Sequence, residues 1–518
     1  MLKAAAWSLG ILLWLAPPAP GQDLSEIDGA TLAKPDADAL RNLSLLIRQF
    51  MPESMDPVLS RLNSAVNRAF KSGDDTATWR LMTRLLFTLQ GQRWSEGLDV
   101  LSSYNLALDR RLAAPGEPLT VSLQPIFTLG RSFSNPYTIR LALSDARGRP
   151  AAPAHTIQVT ELAPLQHAFP TRGLKDGDYE LTYTLLTPAG DTVAEVRRPV
   201  SIDRRLDQRL ARLQQDLARL PRDAANPKIL AALETAEYVH QTFTRARSEY
   251  VASTRHRAPP IATRILGLDD TARYAGDPLD LANGLDLAER LLAAALRGRD
   301  PFAGLTGDLR LAYRSPIDQT LQPYRLYVPK TPARRLLVTL HGVSGDENTY
   351  FGPFTDGRLP QLAEQRGYLI ASPNGRGPVG GYVGASRQDV YDVRERALAL
   401  FGMDPRQVYL TGHSMGAMGA WQIALEKPDL WAAIAPVAGA MGVTRRLLDK
   451  APNLPVFLAQ GARDRLTVPS MARNVAAFAR EALHTFDYRE YPDADHFTIG
   501  AASLTDVFDF LDRIQPAP

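Results

Sequence analysis

The run Val408-Tyr409-Leu410-Thr411-Gly412-His413-Ser414-Met415-Gly416-Ala417 decides how the C-terminal part of this chain is read. A strand-like apolar tetrapeptide leads straight into Gly-x-Ser-x-Gly, and a helix-like stretch follows to about Glu426. The pentapeptide alone is weak, since residue frequencies place one by chance in about one chain in six of this length. Its setting carries more. A sharp strand-to-helix turn forces the central serine into strained backbone, and the residues two before and two after must lack bulk for strand and helix to approach. Gly412 and Gly416 satisfy that, and Ala417 and Gly419 extend the small surface. Such a turn also aims the serine hydroxyl at a helix N-terminus, whose positive end favours a developing oxyanion.

A serine hydroxyl is a poor nucleophile until a base takes its proton. The chain has eight histidines, and His341, His413, His484 and His496 lie in this region. His341 precedes the serine at the end of a strand. His413 adjoins Ser414, and on such a turn its side chain diverges from the serine's. His484 precedes the last strand, at the far end of the sheet. His496, in Asp493-Ala494-Asp495-His496-Phe497, follows that strand at the end where the turn opens, and is the expected base. Asp464, just past Val456-Phe457-Leu458-Ala459-Gln460, is the expected partner of that imidazole, giving the chain order Ser, Asp, His. Asp493 and Asp495 are rivals, but they stand too near His496 in sequence to reach back easily. For an oxyanion hole the backbone N–H groups of Met415 and Val343 are expected, the second following the corner Leu340-His341-Gly342. His341 has no clustered His or Cys partner, so a metal role for it is not expected.

Outward from the serine, apolar strands alternate with amphipathic helices from about Phe302 onward, the pattern of a parallel sheet covered on both faces. Expected strands are Tyr324 to Val328, Leu336 to Leu340, Leu369 to Ser372, Val408 to Thr411, Ala432 to Val437, Val456 to Gln460 and Phe486 to Tyr491. Arg376, Tyr382 and Trp421 are candidates for a substrate pocket, with packing and loop roles equally open.

The chain of 518 residues is too long for one ordinary core. Residues 1–21 read as a secretory signal peptide: Lys3, then an apolar stretch to Ala16, then Ala19-Pro20-Gly21 with small residues for cleavage. That stretch is shorter than the roughly 20 apolar residues of a membrane span. A periplasmic or extracellular protein without stable membrane insertion is expected. Residues 22–114 read as a helical domain, with Leu59, Leu62, Val66 and Phe70 at three- and four-residue steps. Residues 115–203 change to a period of two, as in Leu119-Thr120-Val121-Ser122-Leu123 and Tyr179-Glu180-Leu181-Thr182-Tyr183, with turn signals between. A small immunoglobulin-like β-sandwich is expected there. Such a module binds glycans or proteins or serves as a spacer, and both readings stand. Residues 204–300 return to the helical period, with Leu206, Leu210, Leu213 and Leu217 in one stripe. Residues 301–518 form the expected catalytic domain.

Composition is globular, with 45% hydrophobic and 22% charged residues. The formal net charge is +3 with no basic block, which argues against nucleic acid as a partner. Cysteine is absent, which removes disulfides, thiolate metal sites, a cysteine nucleophile and a lipid-modified N-terminal cysteine together.

The region from Pro301 to the C-terminus resembles secreted esterases of the α/β-hydrolase superfamily, among them feruloyl and acetyl-xylan esterases, polyhydroxybutyrate depolymerases and prolyl oligopeptidase-like predicted peptidases. The matching residues are Pro323-Tyr324-Arg325-Leu326-Tyr327-Val328-Pro329, the Leu340-His341-Gly342 corner with Gly345-Asp346-Glu347-Asn348, Ser372-Pro373-Asn374-Gly375-Arg376-Gly377, and Gln388-Asp389-Val390. Asp404-Pro405-Arg406-Gln407 leads into the serine turn, and Asp464 and His496 complete the set. Where such families show Gly-Gly after the methionine of the turn, this chain has Gly416-Ala417. The resemblance implies an α/β-hydrolase fold, a Ser-Asp-His triad and carboxylic-ester hydrolysis with no metal or organic cofactor. Feruloyl, acetyl-sugar, polyester and simple carboxyl esters all fit it. A prolyl oligopeptidase-like peptidase is a second reading, weakened by the absence of blade-length repeats in residues 22 to 300. A non-catalytic binding protein on the same scaffold is a third, and such proteins usually lose part of the triad.

Overall fold

The computed structural model describes residues 37–52, 55–89, 94–109, 112–145, 147–221, 224–248 and 278–514. The expected signal segment lies outside them. No helix among the described residues is long and apolar enough to cross a membrane. The chain divides into two compact units, residues 1–211 with 242–282, and residues 212–241 with 283–518.

The first unit begins with helices Ala37–Phe50, Pro57–Ser72, Asp75–Leu89 and Glu96–Ser103. The second of these starts where Asp56 accepts the Val58 and Leu59 N–H groups, and stops at Gly73 in the left-handed conformation. A sandwich follows. Tyr104–Leu108, Leu119–Pro125 and Leu165–Phe169 form an antiparallel three-stranded sheet. Leu112–Ala113, Thr192–Ile202, Gly177–Leu186, Tyr137–Asp145 and His155–Val159 form a five-stranded one, in that order. Leu119, Val121 and Leu123 are buried while Thr120 and Ser122 are half-buried, as the period of two requires. Sheet residues 104–108 and 112–113 fall within the stretch the sequence reads as helical. The helix Glu96–Ser103 passes into strand with no glycine or proline between, so the helical period overruns the boundary.

The second unit holds an eight-stranded sheet, numbered here β1 (Gly307–Arg314), β2 (Leu321–Val328), β3 (Arg335–Leu340), β4 (Tyr368–Pro373), β5 (Val408–His413), β6 (Ala433–Val437), β7 (Val456–Gly461) and β8 (Phe486–Tyr491). Their order across the sheet is β1-β2-β4-β3-β5-β6-β7-β8. The strands β3 to β8 run parallel, and β2 runs against both of its neighbours. The seven strands expected from the sequence are present, and β1 is added. Asp308, Arg310 and Arg314 alternate with the buried Leu309, Leu311 and Tyr313, as suits an edge strand.

Alternate side chains along the central strands enter two separate cores. Leu337, Ile370, Tyr409, Ala433 and Phe457 pack with the helices Leu359–Arg366 and Ile499–Arg513. Val338, Leu369, Leu410, Ile434 and Leu458 pack with Ala385–Phe401, Met415–Glu426 and Pro469–Ala482. All residues of β4 to β7 are buried, which explains their near-continuous apolar sequences.

The edge at β1 is covered. Ala312 N–H donates to Thr235 Oγ1 at 3.1 Å, and Arg314 N–H donates to Glu234 Oε1 at 3.0 Å. Adjacent residues of the helix Pro227–Ser248 thus satisfy alternate outward N–H groups that would otherwise invite another strand. Arg396 holds Glu234 from below at 2.6 Å, and Ala231, Ala232 and Leu291 join the core of this unit.

Candidate active site

Ser414 stands between β5 and the helix Met415–Glu426 with φ 55° and ψ −115°. Among the described residues seven non-glycine positions have positive φ. Five of them, Ser344, Arg376, Tyr382, Ser414 and Ala438, follow the carboxyl ends of β3, β4, β5 and β6. Strain of this kind costs about 1–3 kcal/mol per residue and collects where surrounding structure enforces it. The glycines of the turn are required sterically. A Cβ on Gly412 would lie 2.2 Å from Gly416 O, and one on Gly416 would lie 2.1 Å from Leu340 O.

Three chain-distant side chains meet in one line. Ser414 Oγ lies 2.9 Å from His496 Nε2, and His496 Nδ1 lies 2.8 Å from Asp464 Oδ2. Ser414 comes from the end of β5, Asp464 from the loop after β7 and His496 from the loop after β8. With Asp464 ionised, Nδ1–H donates to it and Nε2 is left to accept the serine proton.

Asp464 is 2% exposed and well supplied with donors. Its Oδ1 accepts the Leu466 and Thr467 N–H groups, each at 2.8 Å. Its Oδ2 also receives Thr467 Oγ1 at 2.7 Å and Gln460 Nε2 at 3.1 Å. Burial pushes the carboxyl pKa up, but the bond and charge of His496, with help from Thr467, outweigh it and hold the group below its ordinary range. The rivals are engaged elsewhere. Asp493 pairs with Arg463 on the surface, and Asp495 accepts the Phe497 and Thr498 N–H groups of its own turn.

The other histidines have distinct places. His413 turns from the serine hydroxyl and donates Nε2–H to the carbonyl of His496 at 2.8 Å. Burial, reinforced by His496, pushes its pKa down to about 3, so the ring stays neutral. His484 precedes β8, at the opposite end of that strand from His496, and its N–H donates to Pro452 O.

His341 is buried with its ring nitrogens 2.8 Å from Gly342 O and 2.9 Å from Asn374 O. Burial lowers its pKa against the raising effect of those two carbonyls. No group of three or more His, Cys, Asp or Glu side chains suited to a metal occurs among the described residues. Gly342 sits against the serine: a Cβ there would lie 2.9 Å from His413 Nδ1 and 3.3 Å from Ser414 Cβ. Val343 is the next residue, and Met415 opens the helix after Ser414, where the first N–H groups have no partner within the helix.

Below this corner is a brace whose parts the sequence showed only as separate motifs. Asp389, fully buried, accepts Gly375 N–H at 2.8 Å and the Tyr313 hydroxyl. Ser386 Oγ donates to Gly375 O at 2.6 Å, and Tyr382 OH donates to His341 O at 3.2 Å. The segment Asn374-Gly375 is held from one side by Asp389 and meets His341 on the other. Burial raises the Asp389 pKa to about 6 against the lowering effects of Tyr313, Arg376 and Gly375. Burial also raises Asp346 and Glu347 on the loop after Gly342, and the charge of Asp346 raises Glu347 further.

Of the pocket candidates, Tyr382 and Trp421 are 0% and 1% exposed and belong to the core. Tyr382 packs so closely on Gly419 that a Cβ there would lie 2.7 Å from its ring. Arg376 pairs with Asp318 and donates to Ser315 Oγ, tying the β1–β2 turn to the loop after β4.

No family model matches the chain, and no curated protein matches it. Among solved structures, fluorophosphonate-binding serine hydrolase F of Staphylococcus aureus is 17% identical, with 40% of this chain and 99% of that one covered and a TM-score of 0.36. An S-formylglutathione hydrolase from Agrobacterium tumefaciens is 16% identical, with 41% of this chain and 97% of that one covered and a TM-score of 0.34. A thermostable esterase is 12% identical, with 79% of this chain and 98% of that one covered and a TM-score of 0.35. At these scores the likeness assigns no activity, which rests on the geometry of the site.

Proposed function

We propose that this chain is an exported serine hydrolase that cleaves carboxylic esters through an acyl-serine intermediate. The observation that carries the proposal is the unbroken hydrogen-bonded line from Ser414 through His496 to the buried carboxylate of Asp464. In the first half-reaction Ser414 Oγ attacks the ester carbon while His496 takes its proton, and Asp464 stabilises the imidazolium. The tetrahedral oxyanion accepts hydrogen bonds from the Met415 and Val343 N–H groups. Collapse expels the alcohol, which takes the proton from His496. Water then attacks the acyl-serine with His496 as base, releasing the acid and restoring Ser414. These steps call for no metal or organic cofactor.

Export is supported by the charged, apolar and small-residue order of residues 1–21. Partners on this reading are a small or polysaccharide-linked ester at the site and a glycan or protein at the sandwich. Purified Ser414→Ala should keep its fold by circular dichroism and lose hydrolysis of short-chain aryl esters and labelling by a fluorophosphonate. Retained turnover in that variant would overturn the proposal. Faster cleavage of a peptide p-nitroanilide than of the matched ester would assign the same chemistry to a peptidase.

A further inference from the structure

Nine large apolar side chains are exposed among the described residues, between 37% and 56%. Single exposed hydrophobics are ordinary on any protein surface. Here six of the nine fall on four loops at one end of one sheet. Val379 and Val383 follow β4, Met441 and Leu447 follow β6, Val468 follows β7 and Phe497 follows β8. Each of these loops leaves the carboxyl end of its strand, the end at which Ser414 stands. None of the nine lies in the sandwich strands.

The placement is closer than the topology alone requires. Phe497 follows His496, and their rings are 5.6 Å apart. Val468 follows Thr467, whose hydroxyl meets Asp464. Met441 is two residues past Gly439, where a Cβ would lie 2.6 Å from Ser414 O. Val379 follows Pro378, whose carbonyl accepts the Ser344 N–H on the loop after β3. The connection from β6 to β7 spans residues 438–455 and contains only the four-residue helix Arg445–Leu448, so no inserted domain there covers these side chains. Two of the charges on these loops are engaged, Arg445 with Asp449 and Glu481, and Arg463 with Asp493.

We infer that these six side chains form an apolar collar that binds the non-reacting part of the substrate, so that the ester taken by this site carries an apolar chain or ring of more than a few carbons. The inference rests on the ester-hydrolase proposal. A charged or strongly hydrated group set against these six side chains would lose hydration without gaining a partner from them, whereas an apolar group removes both surfaces from water. The collar is open, so it accepts length without enclosing it.

The full chain is assayed on p-nitrophenyl esters from acetate to octanoate, and on acetates of alcohols from ethanol to octanol. The first series lengthens the acyl side and the second the alcohol side. Full burial is worth about fourfold per methylene, so a partly open collar should raise kcat/KM at least about tenfold from the shortest to the longest member of one series. Which series rises identifies the side that the collar holds. The double variant Val383→Ser/Met441→Ser should lower the long-to-short ratio at least about fivefold, while Val58→Ser, in the other unit, should leave that ratio where it was. A second measurement needs no variant: the unaltered protein should be labelled faster by an octyl than by an ethyl fluorophosphonate. Flat or falling dependence in both series, or equal labelling rates, overturns the collar. A protein labelled at Ser414 without length preference sinks the collar alone. No labelling and no hydrolysis of any ester sinks the hydrolase proposal itself.

Discussion

The Nε2–H of His413 donates to the carbonyl oxygen of His496 at 2.8 Å, so the residue before the serine holds the backbone of the residue that meets its hydroxyl. The two rings lie 4.7 Å apart, and burial keeps the first of them neutral. A neutral ring beside His496 avoids a second positive charge at the moment His496 becomes imidazolium.

Loss of that bond should show in turnover. His413→Ala is expected to lower kcat about tenfold, the cost of one buried hydrogen bond expressed in a barrier. His413→Gln, which can still donate from about the same position, should recover most of it. Equal loss in both variants would make the ring's packing, and not its bond, the contribution. The comparison is made with p-nitrophenyl acetate at saturating concentration.

Asp464 bears on both rate and pH stability. Asp464→Asn should cost about 10³- to 10⁴-fold in kcat, because an amide neither selects the same tautomer of His496 nor balances its charge. The folded pKa of Asp464 lies below its ordinary value, so the stabilisation it lends is complete above the unfolded value and is lost as pH falls through the folded one. Denaturant midpoints of the unaltered protein and Asp464→Asn should therefore converge only below about pH 4.

Asp389 has the opposite sign. Its folded pKa is raised to about 6, so the folded state holds a proton that the unfolded state has released, and stability falls as pH rises from about 4 through 6. Asp389→Asn can accept from Gly375 N–H and donate to the Tyr313 oxygen, keeping both bonds without the charge. Its stability relative to the unaltered protein should rise by about 2–3 kcal/mol between pH 4 and pH 7 and then level off. Asp389→Ala releases Gly375 and should lower kcat by loosening the corner at His341 and Gly342. Urea titrations at pH 4, pH 7 and pH 8, with kcat measured beside them, check both.

Gly416 tests the steric argument. Gly416→Ala would place a Cβ 2.1 Å from Leu340 O, against backbone that cannot move without shifting β3. Loss of more than about 4 kcal/mol, or insoluble protein, is expected. Soluble Gly416→Ala with an unaltered thermal midpoint would show that the turn has room to open.

Much of this arrangement was legible beforehand because it is local or sequential. Gly412, Ser414 and Gly416 report a turn whose constraints lie within five residues, and β4 to β7 report their burial in unbroken apolar sequence. Asp464 and His496 could be chosen because each follows a strand that had already been recognised. The edge strand β1 carries a period of two, Leu309, Leu311 and Tyr313 alternating with Asp308, Arg310 and Arg314, yet it is not among the strands expected from the sequence. The strand Tyr104–Leu108 was missed because nothing in the sequence breaks it from the helix before it.

What the sequence determined by itself was the succession of strands β2 to β8 in the second unit and the place of Ser414 on its turn, since periodicity and steric need are written in neighbouring residues. Tertiary structure decided the rest. It engaged Asp464 and not Asp493 or Asp495, turned His413 onto the His496 carbonyl, and joined Asp389 to the segment that meets His341. Each of those outcomes depends on which loops a folded sheet brings within a few ångströms, and residues 14 to 83 positions apart carry no sign of that proximity in their own sequence.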